Sequence, residues 1–476
     1  MSKLAPSNVT LIRGLGLIAA ISIVIGNVIG TGVFLKTRVM ICNVGTPGRV
    51  LAVWVGAGLL SLAGALTYAE IATLWPRAGG EYVYLREAYG TRFAFLYGWM
   101  QFFIARAGGL AAMSMAFAIF LNVVTGNGVS AVYFNWKMAG ADFSFGSLQV
   151  VAISSIAFVT LINCAAVRVS GAVASVLTGI KIAVVLFIGV GAFLYAQGDW
   201  MHLWMGAAGG ACEGIPADTI GGFGGLGAAM LAALWAYNGW NDLTFVAGEI
   251  KHPQRNIPLA LIGGMILVAL LYVFINVAYF YVLTPAEIAS VSANSSVATE
   301  AAQRFMGPLA AGLIAASLLA SAFGTLHVGV LASGRLPYAM ARDRLFFQNF
   351  THLNKRTHTP IRALVAQSVW ACALALTGSF DALTDYSIFG LWIFYALATT
   401  TVFVFRVKMP QAERPYRTWG YPVVPLLFLI VAGWLLISTI LFAPRRSVTG
   451  VILILLGLPV YEYFARRNRV EFEEQS

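Results

Sequence analysis

Roughly twelve apolar stretches run through this chain, each near the ~20 residues that a bilayer-crossing helix needs. They fall at about 11–38, 46–70, 91–124, 147–167, 171–196, 221–250, 256–283, 306–341, 359–378, 383–406, 420–443 and 447–466. In hydrocarbon every backbone N–H and C=O must find a partner within the protein, which leaves helices or closed barrels as the spanning structures. Continuous stretches of this length select helices. Of all residues 59% are hydrophobic and 10% charged, against about a quarter charged in soluble domains. The expectation is an all-α membrane protein with twelve transmembrane helices.

The net charge of +11 invites a nucleic-acid reading, and its placement argues against one. With the N-terminus inside, the inner loops carry Arg77, Arg86, Arg92, Lys251, Arg255, Arg335, Arg342, Arg344, Lys355, Arg356, Arg362, Arg406, Lys408, Arg414 and Arg417, and the tail adds Arg466, Arg467 and Arg469. The outer loops carry Asp142, Asp199, Glu213, Asp218, Glu287, Glu300, Asp381 and Asp385. This positive-inside distribution places both termini in the cytoplasm of a multi-pass protein of the plasma (inner) membrane, with the lipid bilayer as partner and no nucleic acid. Arg445 and Arg446 fall outside and count against it. The first stretch is too long for a removable signal peptide and lacks a small-residue cleavage site. Cys164 and Cys372 lie inside apolar segments as packing residues. Cys42 and Cys212 fall in outer loops, where pairing is open.

Two of the stretches are interrupted. One contains Gly30-Thr31-Gly32-Val33-Phe34, the other Trp235-Ala236-Tyr237-Asn238-Gly239-Trp240-Asn241. Irregular backbone at membrane depth survives only where it lines a cavity or lies buried in protein. A pair of broken helices in corresponding places of two halves points to a transporter's binding site. A half-helix starting after Gly30 would aim N–H donors at an anion such as a carboxylate, with the Thr31 hydroxyl beside them. Carbonyls freed around Trp235, Ala236 and Asn238 could accept an ammonium group. Donors on one side and acceptors on the other suit a zwitterion.

Four motifs carry a resemblance: Gly30-Thr31-Gly32-Val33-Phe34; Pro76-Arg77-Ala78-Gly79-Gly80-Glu81-Tyr82-Val83-Tyr84; Tyr237-Asn238-Gly239-Trp240-Asn241 through Glu249 to Pro258; and Gly334-Arg335 to Arg342-Asp343. On these the chain resembles the amino acid–polyamine–organocation (APC) superfamily, nearest to its L-type amino acid transporter (LAT) branch. The resemblance implies two inverted five-helix repeats, at 11–200 and 201–410, then two further helices at 411–466. These lie between a short N-terminal segment, 1–10, and a tail, 467–476. The first and sixth helices are implied to be unwound at the midplane. Val28, Gly30, Thr31 and Gly32 match positions that hold the substrate carboxylate and amine. Trp235 matches an aromatic gate, with Ala236 and Asn238 beside it; many relatives have glycine where Asn238 stands. Lys181 matches a lysine whose ammonium stands in for the sodium of distant cousins.

Ionisable residues inside a membrane are functional candidates by default. Lys181 either pins the first helix to the fifth or carries a coupling proton. Arg106 and Asp242 either pair, leaving a neutral pocket, or stand free. A free Arg106 would suit an acidic substrate, and a free Asp242 a cationic amino acid or polyamine. Glu249 and Arg335 are expected to form an inner gate together with Arg342 or Asp343. Segment 76–90 reads as an interfacial amphipathic element.

The reading that follows is sodium-independent, alternating-access exchange of neutral L-amino acids, with proton-coupled symport as the alternative. An enzyme is not expected: none of His202, His252, His327, His352 and His358 has metal-site spacing. No cofactor or metal is expected. Animal members of the branch join a heavy chain through a cysteine in the loop matching 125–145, and this loop has none. A monomer without a disulfide-linked partner is therefore expected.

Overall fold

A computed structural model describes residues 10–126, 128–138, 141–207, 209–213, 215, 220–292, 295–376, 380–442 and 444–473. Asp218 and most of the N-terminal segment lie outside the described residues, as does the end of the tail.

The chain is almost wholly helical. The order begins α1 (Leu17–Val28), α2 (Gly32–Val44), α3 (Pro47–Leu74), α4 (Glu81–Tyr89), α5 (Thr91–Met100) and α6 (Arg106–Val124). A hairpin of β1 (Val132–Met138) and β2 (Ala141–Gly146) follows, then α7 (Ser147–Cys164) and α8 (Val167–Tyr195). The middle of the chain is α9 (Gly222–Ala236), α10 (Asp242–Phe245), α11 (Pro253–Val282), α12 (Pro285–Ala289), α13 (Val297–Met306), α14 (Leu309–Ser333) and α15 (Arg335–Arg342). The end is α16 (Ile361–Leu376), α17 (Phe380–Lys408), α18 (Val423–Phe442), α19 (Pro444–Leu455) and α20 (Gly457–Glu473).

Among the described residues ten helical segments are long and apolar enough to cross a membrane, and two more, Gly224–Ala236 and Ile361–Leu376, are apolar but shorter. Several boundaries have local causes. Pro47 and Pro253 sit in the first turns of α3 and α11, where a missing N–H costs nothing. Thr284 and Glu287 cap α12 reciprocally. α5 and α6 are joined without a break by a π-helical turn, Gln101–Ala105, a geometry that recurs at functional sites.

α1 packs between α8, α11 and α14, while α9 lies on α2 and α3. Trp54, Tyr237 and Tyr272 form a buried aromatic cluster, with ring centroids 4.9 to 5.8 Å apart. Cys42 and Cys212 are joined by a disulfide.

Two features differ from the sequence-based expectation. The polar stretch 125–145 contains an antiparallel hairpin, which its irregular alternation did not announce. Segment 76–90 is not laid on the surface as a whole: Arg77 and Gly90 are exposed, but α4 buries Glu81, Tyr82, Val83, Tyr84 and Leu85. Gly79 donates to the Phe245 carbonyl at 3.1 Å, so the segment is tied under α10 rather than laid on a membrane face.

Candidate functional site

The chain is non-helical at Ile29–Thr31, between α1 and α2, and again between α9 and α10. The two interruptions lie side by side. A Cβ on Gly32 would sit 2.6 Å from the Ala236 Cβ and 2.8 Å from its Cα, so only glycine permits this approach. Gly239 has φ +99°, and a Cβ there would fall 2.2 Å from Asn27 Nδ2. Glycine adopts that conformation without steric cost.

Carbonyls released by the breaks are met by side chains from neighbouring helices. The Tyr272 hydroxyl on α11 reaches both helix ends, at 2.8 Å from the Val28 oxygen and 3.0 Å from the Ala236 oxygen. The Ser321 hydroxyl on α14 lies 3.1 Å from the Ile29 oxygen and 3.2 Å from that of Gly30. Asn238 N–H donates to the Trp235 carbonyl at 3.2 Å. Fewer acceptors are therefore left over at the second break than the sequence suggested. At the other break, the Thr31 side chain makes no capping bond to the first turn of α2.

A cavity of about 160 Å³ lies between the breaks, room for roughly ten waters by that measure and hence for a small amino acid. Its wall includes all seven residues expected to bind substrate: Val28, Gly30, Thr31, Gly32, Trp235, Ala236 and Asn238. The Lys36 ammonium stands 4.6 Å from the Trp235 ring centroid. The Asn238 amide oxygen accepts from the Tyr395 hydroxyl at 2.9 Å, so this side chain is fixed to the wall rather than projecting freely.

Arg106 and Asp242, the charged residues in the described wall, form a bidentate pair at 2.5 and 2.7 Å. Asn27 completes the carboxylate, donating at 2.8 Å while also reaching the Gly239 carbonyl at 3.2 Å. The guanidinium lies 4.7 Å from the Phe245 ring centroid. Of the readings open for these two charges, the structure has the pair. Lys181 lies behind the wall: its ammonium donates to the Gly26 carbonyl at 2.5 Å and to the Thr325 hydroxyl at 2.8 Å. It ties α8 to the last turns of α1.

Glu249 and Arg335 meet through two bonds, 2.8 and 3.1 Å, and a third Arg335 nitrogen donates to the Leu331 carbonyl at 2.6 Å. Both side chains are almost wholly buried, so this is an interior pair rather than a loosely solvated one. Residues around Leu15 bridge the same level, where Leu15 N–H donates to the Glu249 carbonyl at 3.0 Å. Arg342 and Asp343 are not part of it: Asp343 pairs with Arg86 and accepts from Tyr82 at 2.8 Å. Arg342 lies over the Tyr338 ring.

Two functional candidates escaped sequence reasoning. Glu81 sits behind the cavity wall, bonded to Asn241 and Tyr97. Glu70 accepts two bonds from Arg406, at 3.0 and 2.7 Å, and one from the Thr418 amide at 2.6 Å. The signal for Glu70 was available: an acid within an apolar stretch demands a partner.

The amino acid permease family model matches residues 15–461. The serine/threonine exchanger SteT of Bacillus subtilis is 32% identical over 96% of this chain and 98% of its own length. The human b(0,+)-type amino acid transporter 1 is 30% identical over 96% of this chain and 89% of its own. The human large neutral amino acids transporter small subunit 2 is 28% identical over 95% and 80%. The chain belongs to the amino acid permease family, within the LAT branch of the APC superfamily of membrane transporters.

Proposed function

We propose that this protein is a sodium-independent exchanger of neutral L-amino acids in the plasma membrane, working by alternating access. In this reading it has twelve spans, as two inverted five-helix repeats and two added helices, with both termini cytoplasmic. The substrate carboxylate lies at the uncapped start of α2, against Thr31 and Gly32. Its ammonium faces the carbonyls around Val28 and Ala236, exchanging places with the Tyr272 hydroxyl, and Trp235 closes over it.

The observation that carries the substrate class is the closed Arg106–Asp242 pair. Its two charges cancel within the cavity wall, so a substrate with a charged side chain would meet no free counter-charge, and burying an uncompensated charge is strongly unfavourable. The cavity's size favours a small side chain, in keeping with the serine and threonine in the name of one relative. Lys181 supports sodium independence, because its ammonium already occupies the Gly26 carbonyl. The loop 125–145 carries no cysteine, which supports a monomer without a disulfide-linked partner.

Reconstitution in liposomes tests this. Labelled serine or threonine should enter only when a neutral amino acid is supplied inside, equally well with sodium or choline outside. Strong uptake into liposomes that contain no amino acid, driven by a pH gradient, would replace exchange with proton-coupled symport.

A further inference from the structure

Behind the cavity wall lies a carboxylate that the transport reading leaves unused. Glu81 is the first residue of α4, outside the spanning segments, and is completely buried. It is held by neutral donors: Asn241 Nδ2 donates to one oxygen, and the Tyr97 hydroxyl donates to the other at 2.9 Å. No cation pairs with it among the described residues.

Each donor leads back to the cavity in one further step. Asn241 accepts from the Tyr395 hydroxyl at 3.2 Å, the same hydroxyl that holds Asn238. The Tyr97 oxygen accepts from the Gln101 amide at 3.0 Å. Tyr395, Asn238 and Gln101 all line the cavity, and Gln101 opens the π-helical turn that leads to Arg106. On the other side, the loop before Glu81 is packed against α10, where a Cβ on Gly80 would meet the Thr244 hydroxyl at 2.7 Å.

We propose that Glu81 is a proton-responsive positioning residue of the transport cycle, which reverses the Tyr97–Gln101 hydrogen bonds and so changes the face of the Gln101 amide presented to the substrate. This rests on reading the cavity as the amino-acid site. When ionised, Glu81 accepts from Tyr97, Tyr97 accepts from the Gln101 NH2 group, and the Gln101 oxygen is left for the cavity. When a proton binds the Tyr97-facing oxygen, that carboxyl becomes the donor. The Tyr97 hydroxyl must then donate onward, and the Gln101 amide turns so that its oxygen accepts and its NH2 faces the cavity. One proton enters, no bond between heavy atoms changes, and an acceptor in the pocket becomes a donor.

Burial pushes the Glu81 carboxyl up to about 7, opposed by its own amide, Asn241 and Tyr97 and reinforced by Asp242. The ionisable groups facing it are Tyr84 on its own helix, Tyr68 on α3, Tyr97 on α5, Asp242 on α10 and Tyr395 on α17. Four are phenols, and Asp242 is engaged by Arg106 through two bonds. Glu81 is therefore the member of the cluster able to change charge near pH 7.

The test compares wild type, Glu81→Gln and Tyr97→Phe. Infrared pH-difference spectra of the purified protein read the carboxyl without any substrate. A protonated-carboxyl band should titrate near neutrality and vanish in Glu81→Gln. In liposomes, the wild-type KM for serine exchange should change about tenfold through the same transition, the equivalent of one hydrogen bond. In Tyr97→Phe the band should still titrate while KM stays flat. A KM in either variant that titrates as in wild type, or a wild-type band that does not titrate, overturns the proposal. If wild type exchanges no amino acid at all while the band titrates, the transport reading has failed, and this role falls with it.

Discussion

Replacing Asp242 with asparagine removes one charge from a pair that is largely shielded from water. The Asp242 side chain is 3% exposed and that of Arg106 13%. At about 4 Å between charge centres and an effective dielectric of ~20, the pair's attraction is about 4 kcal/mol. Breaking a buried pair by removing one partner typically costs about 3–5 kcal/mol. The geometry adds a second penalty. The carboxylate oxygens accept three bonds, two from Arg106 and one from Asn27. An asparagine offers one oxygen, and its NH2 group must face a donor from one side or the other. Asp242→Asn should therefore lower stability by about 3–5 kcal/mol, read as a fall in thermal midpoint in detergent and in folded yield. It should also let acidic amino acids compete for the site, because the Arg106 charge is exposed to the cavity. A double variant, Arg106→Gln with Asp242→Asn, should recover most of the lost stability, as coupled neighbours do in a mutant cycle. Wild-type stability in Asp242→Asn, with no recovery in the double variant, would refute the claim that the pair holds the wall together. Wild-type stability with altered selectivity for basic substrates would give Asp242 to the substrate instead.

Other positions give sharper or simpler outcomes. Gly239→Ala must adopt φ +99° and crowd Asn27; a cost of about 1–3 kcal/mol is expected from the backbone alone, with loss of exchange, whereas alanine at the unobstructed Gly263 should leave transport intact. Tyr272→Phe removes a hydroxyl that reaches both helix ends, and should weaken binding and thermal stability together; unchanged values in both would show that water or substrate serves those carbonyls equally well. Glu249→Gln leaves the buried Arg335 charge unpaired and should destabilise by about 3–5 kcal/mol, a far larger effect than a solvated gate pair would show. The pH dependence of stability follows from Glu81, whose carboxyl is raised from 4.5 to about 7 by burial. Between those values the unfolded chain releases a proton that the folded chain keeps, so stability falls as pH rises through this window. Thermal midpoints of Glu81→Gln should lack that fall.

Much of the architecture was legible because apolar length is a local property. The stretches at 46–70, 91–124 and 256–283 became α3, α5–α6 and α11 with small shifts at their ends. The interrupted segments were legible for the same reason, since glycines beside polar residues in an apolar stretch need no long-range information. Pairing was less so. The sequence offered Arg106 and Asp242 as candidates because both are charges inside apolar stretches, and it put Glu249 with Arg335, but it added Arg342 or Asp343 to them on proximity to the inner surface alone. The fold gives Asp343 to Arg86 and buries Arg335 against Glu249, a choice made by helix packing. Glu81 was hidden for a related reason. In sequence it belongs to a polar, arginine-rich segment that reads as surface, and only the docking of that segment under α10 buries it.

The helix breaks also explain why the surrounding helices carry polar residues at these particular places. An interrupted helix in hydrocarbon exposes carbonyls at a cost of several kcal/mol each. Here Tyr272, Ser321 and Lys181 come from three different helices, α11, α14 and α8, and each reaches a carbonyl of Gly26, Val28, Ile29, Gly30 or Ala236. None of the three would be tolerated on a lipid-facing position without a partner. A bond that spans two helix ends, like that of Tyr272, can serve only one of them at a time, because a hydroxyl has one proton. An ammonium group, with three donors, satisfies both ends at once. In the proposed pose the substrate ammonium would thus serve both carbonyls together, and ligands lacking that ammonium should fail to stabilise the protein thermally even when their carboxylate and side chain are kept.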